Sequence, residues 1–353
     1  MFKRMTTARV NDLHFKYDEQ TGLKAIIAIH NTRLGPALGG CRIIEYQSTD
    51  QAIDDAIRLA KGMSYKAALA NLPLGGGKAV ILKPAKIHDR TLLFEAFGRF
   101  VNELGGRYIT AMDAGTTTED MDAAATQSHY VTCTSATGNP APFTALGVFT
   151  GIKACLKLKG HSATNLQSVH VAIQGLGNVG YELARLLYET GAKLTVADID
   201  KSKLARCVNE FNATAAPADA IHKVHCDIFS PCGLGSILTK TTIDELNCQI
   251  VAGSANNQLA LPHCGEIIHQ RNILYAPDYL INAGGLMFVA LQHKGAKLDA
   301  IKKKIEEIGI TLNTLLKRSL NQNMPSSEIA DHMAEEVLYK SQQSNKVVFG
   351  AGQ

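Results

Sequence analysis

The sequence predicts an α/β protein of two domains, the second built on a doubly wound parallel sheet. Three observations carry this. Short β-rich runs alternate with longer amphipathic stretches from end to end. One run, residues 168–174, passes straight into the glycine turn Gly175-Leu176-Gly177-Asn178-Val179-Gly180, and a helix and a further strand follow it. The length, 353 residues, exceeds what one core usually serves.

In the first half, residues 22–29 read as a strand, with Leu23, Ile26, Ile27 and Ile29 apolar, and residues 42–46 as another. Residues 50–70 read as a helix, because Ile53, Ile57 and Ala60 recur at helical spacing. Residues 78–82 are a strand, 89–104 a helix closed by Gly105-Gly106, and 108–111 a strand running into Asp113. The loop-rich segment 138–142 marks the domain boundary, and a helix starts at Thr144. In the second half, Leu183, Leu186 and Leu187 share one face of a helix over 181–190, and Gly191 stops it. Residues 193–197 form the next strand, ending at Asp198. Short apolar runs at 249–252 and 273–276 continue the sheet, and two amphipathic helices, 297–319 and 326–342, end the chain.

Composition narrows the class. The apolar fraction is 46%, the charged fraction 19% and the net charge +4, with Lys and Arg scattered rather than blocked, so neither nucleic acid nor an anionic membrane is an expected partner. No uninterrupted apolar stretch of about 18 residues occurs, and no membrane span is expected. Residues 1–10 carry Lys3 and Arg4 but no apolar core, so no signal peptide is expected. Eight dispersed cysteines without a C-x-x-C pair predict reduced thiols and a cytoplasmic protein. His222, His225 and Cys226 match no standard zinc spacing; they read as a polar connector, and no metal is expected.

The glycine turn has the context that a G-x-G-x-x-G motif needs: a strand before it, a helix after it, and an acidic residue, Asp198, about 23 residues on. The glycines let the backbone turn tightly and approach a pyrophosphate, which the helix N-terminus attracts. Asp198 is placed to accept ribose hydroxyls and to repel an extra phosphate. The expected cofactor is NAD, with Lys201 or Lys203 as the feature that would favour NADP.

The chemistry must come from the first half. Residues 61–80 hold Lys61, Lys66 and Lys78 in a Gly- and Ala-rich setting without an acidic residue. A P-loop is excluded, because the first required glycine falls on Leu72 and Ala79 replaces the Ser or Thr. A crowded or desolvated lysine loses proton affinity and can serve as an acid or base. Lys78, after three glycines and before a buried strand, is the leading candidate, followed by Lys66; the bland alternative for each is a solvated surface charge. Asp113 closes a strand beside Ala114-Gly115-Thr116 and is either a turn cap or part of the site.

These segments together resemble the glutamate/leucine/phenylalanine/valine dehydrogenase family, most of all its leucine branch. The likeness runs through residues 34–42 (Leu-Gly-Pro-Ala-Leu-Gly-Gly-Cys-Arg), 61–80, 108–116 and 138–142, the glycine turn, 255–259 and 277–285 (Pro-Asp-Tyr-Leu-Ile-Asn-Ala-Gly-Gly). It implies a substrate, catalytic and oligomerisation domain over residues 1–140, a Rossmann-type NAD domain over 141–324, a cleft between them, and a C-terminal helix over 325–353 returning to the first domain. It also implies a homo-oligomer. By the same resemblance Lys66 grips the substrate α-carboxylate with backbone N–H groups of Gly39 and Gly40. Lys78 is the general acid/base, and Asp113 handles protons at the amino group. Thr144, Asn257 and Asn282 hold the cofactor or close the cleft.

Relatives that act on glutamate are expected to hold its side-chain carboxylate with a lysine and a serine. The matching positions here are Leu38 and Val289. An unpaired buried carboxylate is costly, so glutamate is disfavoured. Met63, Ala111, Thr132 and Leu286 complete a mostly apolar pocket by the same match. The expected activity is reversible oxidative deamination of leucine, valine or isoleucine to the 2-oxo acid and ammonia, with phenylalanine as the alternative. Met112 and Leu286 depart from the leucine branch, the first replacing an acidic residue and the second a smaller valine. A cofactor-binding regulatory protein without catalysis would lack Lys66, Lys78 or Asp113. A hydroxy-acid dehydrogenase would show a His/Arg pair, and none stands out.

Overall fold

The computed structural model describes residues 1–233 and 235–339. Among these residues the chain forms two sheets. The first sheet contains β1 (Asp12–Asp18), β2 (Leu23–Asn31), β3 (Ala37–Ile44), β4 (Gly75–Leu82) and β5 (Tyr108–Met112), in the order β1-β2-β4-β3-β5. β1, β2 and β4 pair antiparallel, whereas β3 lies parallel between β4 and β5. Helices α1 (Phe2–Ala8) and α2 (Thr49–Leu69) cover one face, and α3 (Arg90–Glu103) and α4 (Thr118–Ala125) cover the other. β2 therefore buries Ile26 and Ala28 against α2 and Ile27 and Ile29 against α3, which is why its sequence is a continuous apolar run rather than an alternation. Ser48 caps α2 by accepting the Gln51 N–H, and Asp89 caps α3 by accepting that of Leu92.

Two strands begin earlier than the sequence suggests. β3 starts at Ala37 and takes in Gly39-Gly40, and β4 starts at Gly75 and takes in all three glycines. The reason is close approach. A Cβ on Gly39 would sit 1.7 Å from the Gly77 carbonyl oxygen, on Gly75 1.8 Å from that of Asn31, and on Gly76 2.0 Å from the Ser64 nitrogen. Here glycine is not a turn signal; it lets α2 and the neighbouring strands close around β4.

The second sheet follows α5 (Ala141–Leu158). It contains β6 (His170–Gln174), β7 (Lys193–Ala197), β8 (Thr214–Ala215), β9 (Ile228–Pro231), β10 (Ile250–Val251) and β11 (Leu274–Tyr275), all parallel, in the order β11-β10-β9-β6-β7-β8. Helices α6 (Asn178–Glu189), α7 (Lys201–Phe211), α8 (Lys240–Glu245) and α9 (Cys264–Gln270) connect these strands. The order reverses between β6 and β9, so the carboxyl ends of those strands open a crevice, the usual ligand site of such sheets. α10 (Asp278–Ile281), α11 (Gly284–His293), α12 (Leu298–Gln322) and α13 (Ser326–Tyr339) complete the described chain.

α5 starts three residues before Thr144, because Pro142 sits in its first turn, where no N–H is needed. Among the described residues it is the one helix long and apolar enough to cross a membrane, and Ala145, Val148, Ile152 and Leu156 are buried in the core with α11 and α12. The sequence placed no strand at β1 or β9: the first is a half-buried edge with charged residues, the second only four residues long. α13 lies against α2, where the Tyr65 hydroxyl donates to Glu335 at 2.6 Å. The end of the helix expected over 326–342 lies outside the described residues.

Candidate active site

A cavity of about 640 Å³ opens between the two sheets. Its first wall is built by elements of the mixed sheet. α2 supplies Met63 and Lys66, β3 supplies Leu38, Gly40 and Arg42, β4 supplies Lys78, and the end of β5 supplies Ala111 and Asp113. The facing wall carries Asp278, Asn282, Leu286 and Val289 from the α10–α11 segment, with Thr144 of α5, Asn257 and Val179 of α6. Residues 38 to 289 thus meet in one space.

Lys78 is 5% exposed on a central strand. Its Nζ lies 2.6 Å from Asp113 Oδ2, and the same oxygen accepts the Arg42 Nε–H at 3.0 Å. Burial pushes the Lys78 ammonium below the usual lysine range; Asp113 resists this and Arg42 adds to it. Burial opposes ionisation of Asp113, yet Lys78 and Arg42 together hold its carboxyl below the ordinary value. Lys66 is pushed down to about 8, by burial first and then by Lys78, while Asp278 across the cavity pulls the other way. Burial raises Asp278, and the Gln258 N–H and Lys66 oppose the rise. The site therefore holds two lysines whose proton affinity burial lowers, one ionised carboxylate, and room for a ligand between them. Gly40 keeps the approach open, since a Cβ there would lie 2.7 Å from the Asp113 Cβ.

The glycine turn shows three separate constraints. Gly175 has φ +93°, and a Cβ on it would strike Gly233 at 2.6 Å. Gly180 starts the packing of α6, with Gly175 O 2.0 Å from where its Cβ would be. Gly177 is exposed and faces open space, the cradle that a diphosphate would need at the N-terminus of α6 beside Asn178. Asp198, after β7, accepts the Leu176 N–H at 2.6 Å and the Asp200 N–H at 2.8 Å, which fixes its carboxylate beside the turn. Asn282 donates to Asn256 Oδ1 and Ser254 O, while its own Oδ1 is buried without a hydrogen-bond partner among the described residues. Such an acceptor suits the amide N–H of a nicotinamide. The turn, the carboxylate and this orphaned oxygen fit a dinucleotide.

Two expected pocket residues lie elsewhere. Gly39 does not line the cavity: its carbonyl accepts the Tyr108 hydroxyl at 2.6 Å, and its missing side chain serves strand approach. Thr132 is 3% exposed and does not line the cavity either, its backbone N–H bonded to Thr110 O; its neighbour Cys133, in the left-handed region at φ +61°, lines the cavity instead. Sequence reasoning also passed over the roles of Arg42 and Asp278, although both stand inside motifs it singled out, and missed Asn256 just before Asn257. His222 pairs with Glu245 at 2.7 Å, and His225 with Asn247 at 3.2 Å.

Residues 7–130 match the family model "Glu/Leu/Phe/Val dehydrogenase, dimerisation domain", and residues 195–308 match "Glutamate/Leucine/Phenylalanine/Valine dehydrogenase". Leucine dehydrogenase of Geobacillus stearothermophilus is 48% identical, over 95% of this chain and 92% of that protein. Phenylalanine dehydrogenase of Thermoactinomyces intermedius is 43% identical, over 91% and 89%. The crystal structure of L-tryptophan dehydrogenase from Nostoc punctiforme superposes with a TM-score of 0.87 at 39% identity, covering 98% of this chain and all of that one. The chain belongs to the glutamate/leucine/phenylalanine/valine dehydrogenase family, NAD(P)-dependent oxidoreductases that act on the CH–NH2 group of amino acids.

Proposed function

We propose that this protein is an NAD-dependent dehydrogenase of a branched-chain L-amino acid, with leucine, valine and isoleucine as its substrates. The observation that carries the side-chain class is the cavity wall formed by Leu38, Met63, Ala111, Leu286 and Val289, which contains no charged group. A substrate carboxylate buried there would go unpaired. Asp198, fixed by two backbone N–H groups beside the turn, supports NAD over NADP.

In this reading the Lys66 ammonium pairs with the substrate α-carboxylate, approached past Gly40. The Asp113 carboxylate accepts a proton-bearing N–H of the substrate amino group and orients it. Neutral Lys78 takes a proton from the water that attacks the iminium carbon, returns it to the amino nitrogen, and takes the hydroxyl proton as the carbon–nitrogen bond breaks and ammonia leaves. When bound, the nicotinamide supplies the acceptor for the hydrogen at the α-carbon. Asp198 holds the adenosine ribose, the backbone around Gly177 holds the diphosphate, and Thr144, Asn257 and Asn282 hold the nicotinamide end. Closure of the cleft keeps other water from the iminium. The first 140 residues supply the catalytic groups, most of the substrate site and the homo-oligomer contacts, residues 141–324 bind NAD and add Leu286 and Val289 to the pocket, and α13 ties back to α2.

A panel of 2-oxo acids with ammonia, followed by NADH absorbance, tests this. The branched-chain oxo acids are expected to turn over fastest. Fastest turnover of 2-oxoglutarate refutes the pocket argument, and fastest turnover of phenylpyruvate reassigns the substrate to the aromatic class.

A further inference from the structure

We infer that Arg42 is a positioning residue, which shares the Asp113 carboxylate with Lys78 and so leaves Lys78 free to give up its proton. The inference rests on the reading of Lys78 as the general base. One oxygen, Asp113 Oδ2, receives both Lys78 Nζ at 2.6 Å and Arg42 Nε at 3.0 Å. The other edge of the guanidinium is anchored: its Nη1 donates to Asp55 Oδ2 at 3.0 Å, and Asp55 also accepts from the Tyr46 hydroxyl at 2.8 Å and from Arg58 at 2.7 Å. Asp55 and Arg58 sit on α2, so Arg42 spans from that helix to the end of β5.

The chemical consequence follows from which cation can change charge. A buried lysine paired with one carboxylate stays an ammonium, because losing its proton would strand the carboxylate. Arg42 removes that obstacle, since a guanidinium does not lose its proton in a protein. When Lys78 becomes neutral, Asp113 is still paired. Pairing with Arg42 also fixes the carboxylate plane through both protonation states of Lys78. The other charged or titratable groups around Lys78 are Lys66 on α2 and the Cys41 thiol on β3. Asp278 faces Lys66 from the opposite wall, and α11 presents only the uncharged Gly285, Leu286 and Val289 to the cavity. None of these replaces Arg42 as a permanent partner for Asp113.

The test is the pH profile of kcat/KM for oxidative deamination in Arg42→Gln, Arg42→Lys and Asp55→Asn, with NADH binding measured alongside. In Arg42→Gln the midpoint of the ascending limb moves up by about one unit or more, which is about a tenfold loss below the midpoint, while NADH binding is retained. Arg42→Lys, which keeps a positive charge but not the fork between Asp55 and Asp113, moves the midpoint up by less than Arg42→Gln does. Asp55→Asn leaves the guanidinium to Asp113 alone, so its midpoint moves the opposite way, to lower pH. An Arg42→Gln profile scaled down at an unmoved midpoint makes Arg42 merely structural and overturns the inference. So does an unmoved or upward-moved midpoint in Asp55→Asn, a variant that serves even if Arg42→Gln does not fold. Failure of the underlying reading looks different: the wild-type ascending limb would persist in Lys78→Ala.

Discussion

Lys78→Ala separates chemistry from folding, and its size can be worked from the structure. Loss of a positioned acid/base costs roughly 10²–10⁴ in rate. In the proposed role Lys78 serves both the water attack and the departure of ammonia, so the upper end applies, about 5 kcal/mol of barrier. The folding cost is far smaller. Removing one partner of a buried pair commonly costs about 3–5 kcal/mol because a bare charge is left behind. Here Asp113 keeps Arg42 at 3.0 Å and its side chain is 28% exposed, so the destabilisation falls below that range. The space vacated by Lys78 opens onto the cavity, where water can fill it. The dinucleotide turn at Gly175–Gly180 lies on another sheet. The variant should therefore melt cooperatively within a few degrees of wild type and bind NADH with unchanged affinity by fluorescence, while kcat falls about ten-thousandfold. A kcat within tenfold of wild type would refute the assignment of Lys78 as the base.

Lys66 gives a prediction in pH. It sits near 8 in the free protein and must be charged to hold a carboxylate, so binding is fully developed below about 8 and is lost above it. The inhibition constant of 4-methylpentanoate, which has the carboxylate but no amino group, should be flat to about pH 8 and then rise about tenfold per unit; a constant value through pH 10 contradicts the role. Gly180→Ala tests the turn. Its Cβ would lie 2.0 Å from the Gly175 oxygen, so α6 must move out, at a typical overpacking cost of about 1–3 kcal/mol. The KM for NAD should rise at least about tenfold with kcat at saturation little changed, and an unaltered KM would show that the turn does not carry the cofactor.

What the sequence revealed depended on how local the physics was. The β6–turn–α6–β7 unit was legible because its strand, glycine spacing and helix lie within one stretch of chain. Lys66, Lys78 and Asp113 stood out because each ends or punctuates an apolar run. Arg42 was hidden because its meaning lies in pairs to Asp55 and Asp113, 13 and 71 positions away. The same holds for Asp278, whose partner Lys66 lies on the opposite wall. The sequence starts β4 at Lys78, after the glycines at 75–77, whereas the glycines are themselves part of it, a strand stripped of side chains to admit Ser64 and Tyr108. Thr132, which the sequence placed in the pocket, does not line the cavity, whereas its neighbour Cys133, at φ +61°, does.

Relatives named for leucine, phenylalanine and tryptophan share this chain's length and much of its sequence, at 48%, 43% and 41% identity. The lysine–aspartate machinery proposed here would act at the α-carbon and has no reason to differ with the side chain. Discrimination must then reside in the cavity wall, and two different physical terms act there. In the proposed pocket a charged side chain would meet Leu38 and Val289 and find no partner, a penalty of several kcal/mol. Among apolar side chains only fit remains, worth about 1–3 kcal/mol per methylene. Leu286 lines the cavity and is larger than a valine, which favours the smaller substrates. The rates across a panel should thus fall steeply from apolar to acidic oxo acids and only gently among the branched ones. That asymmetry comes from charge on one side and volume on the other.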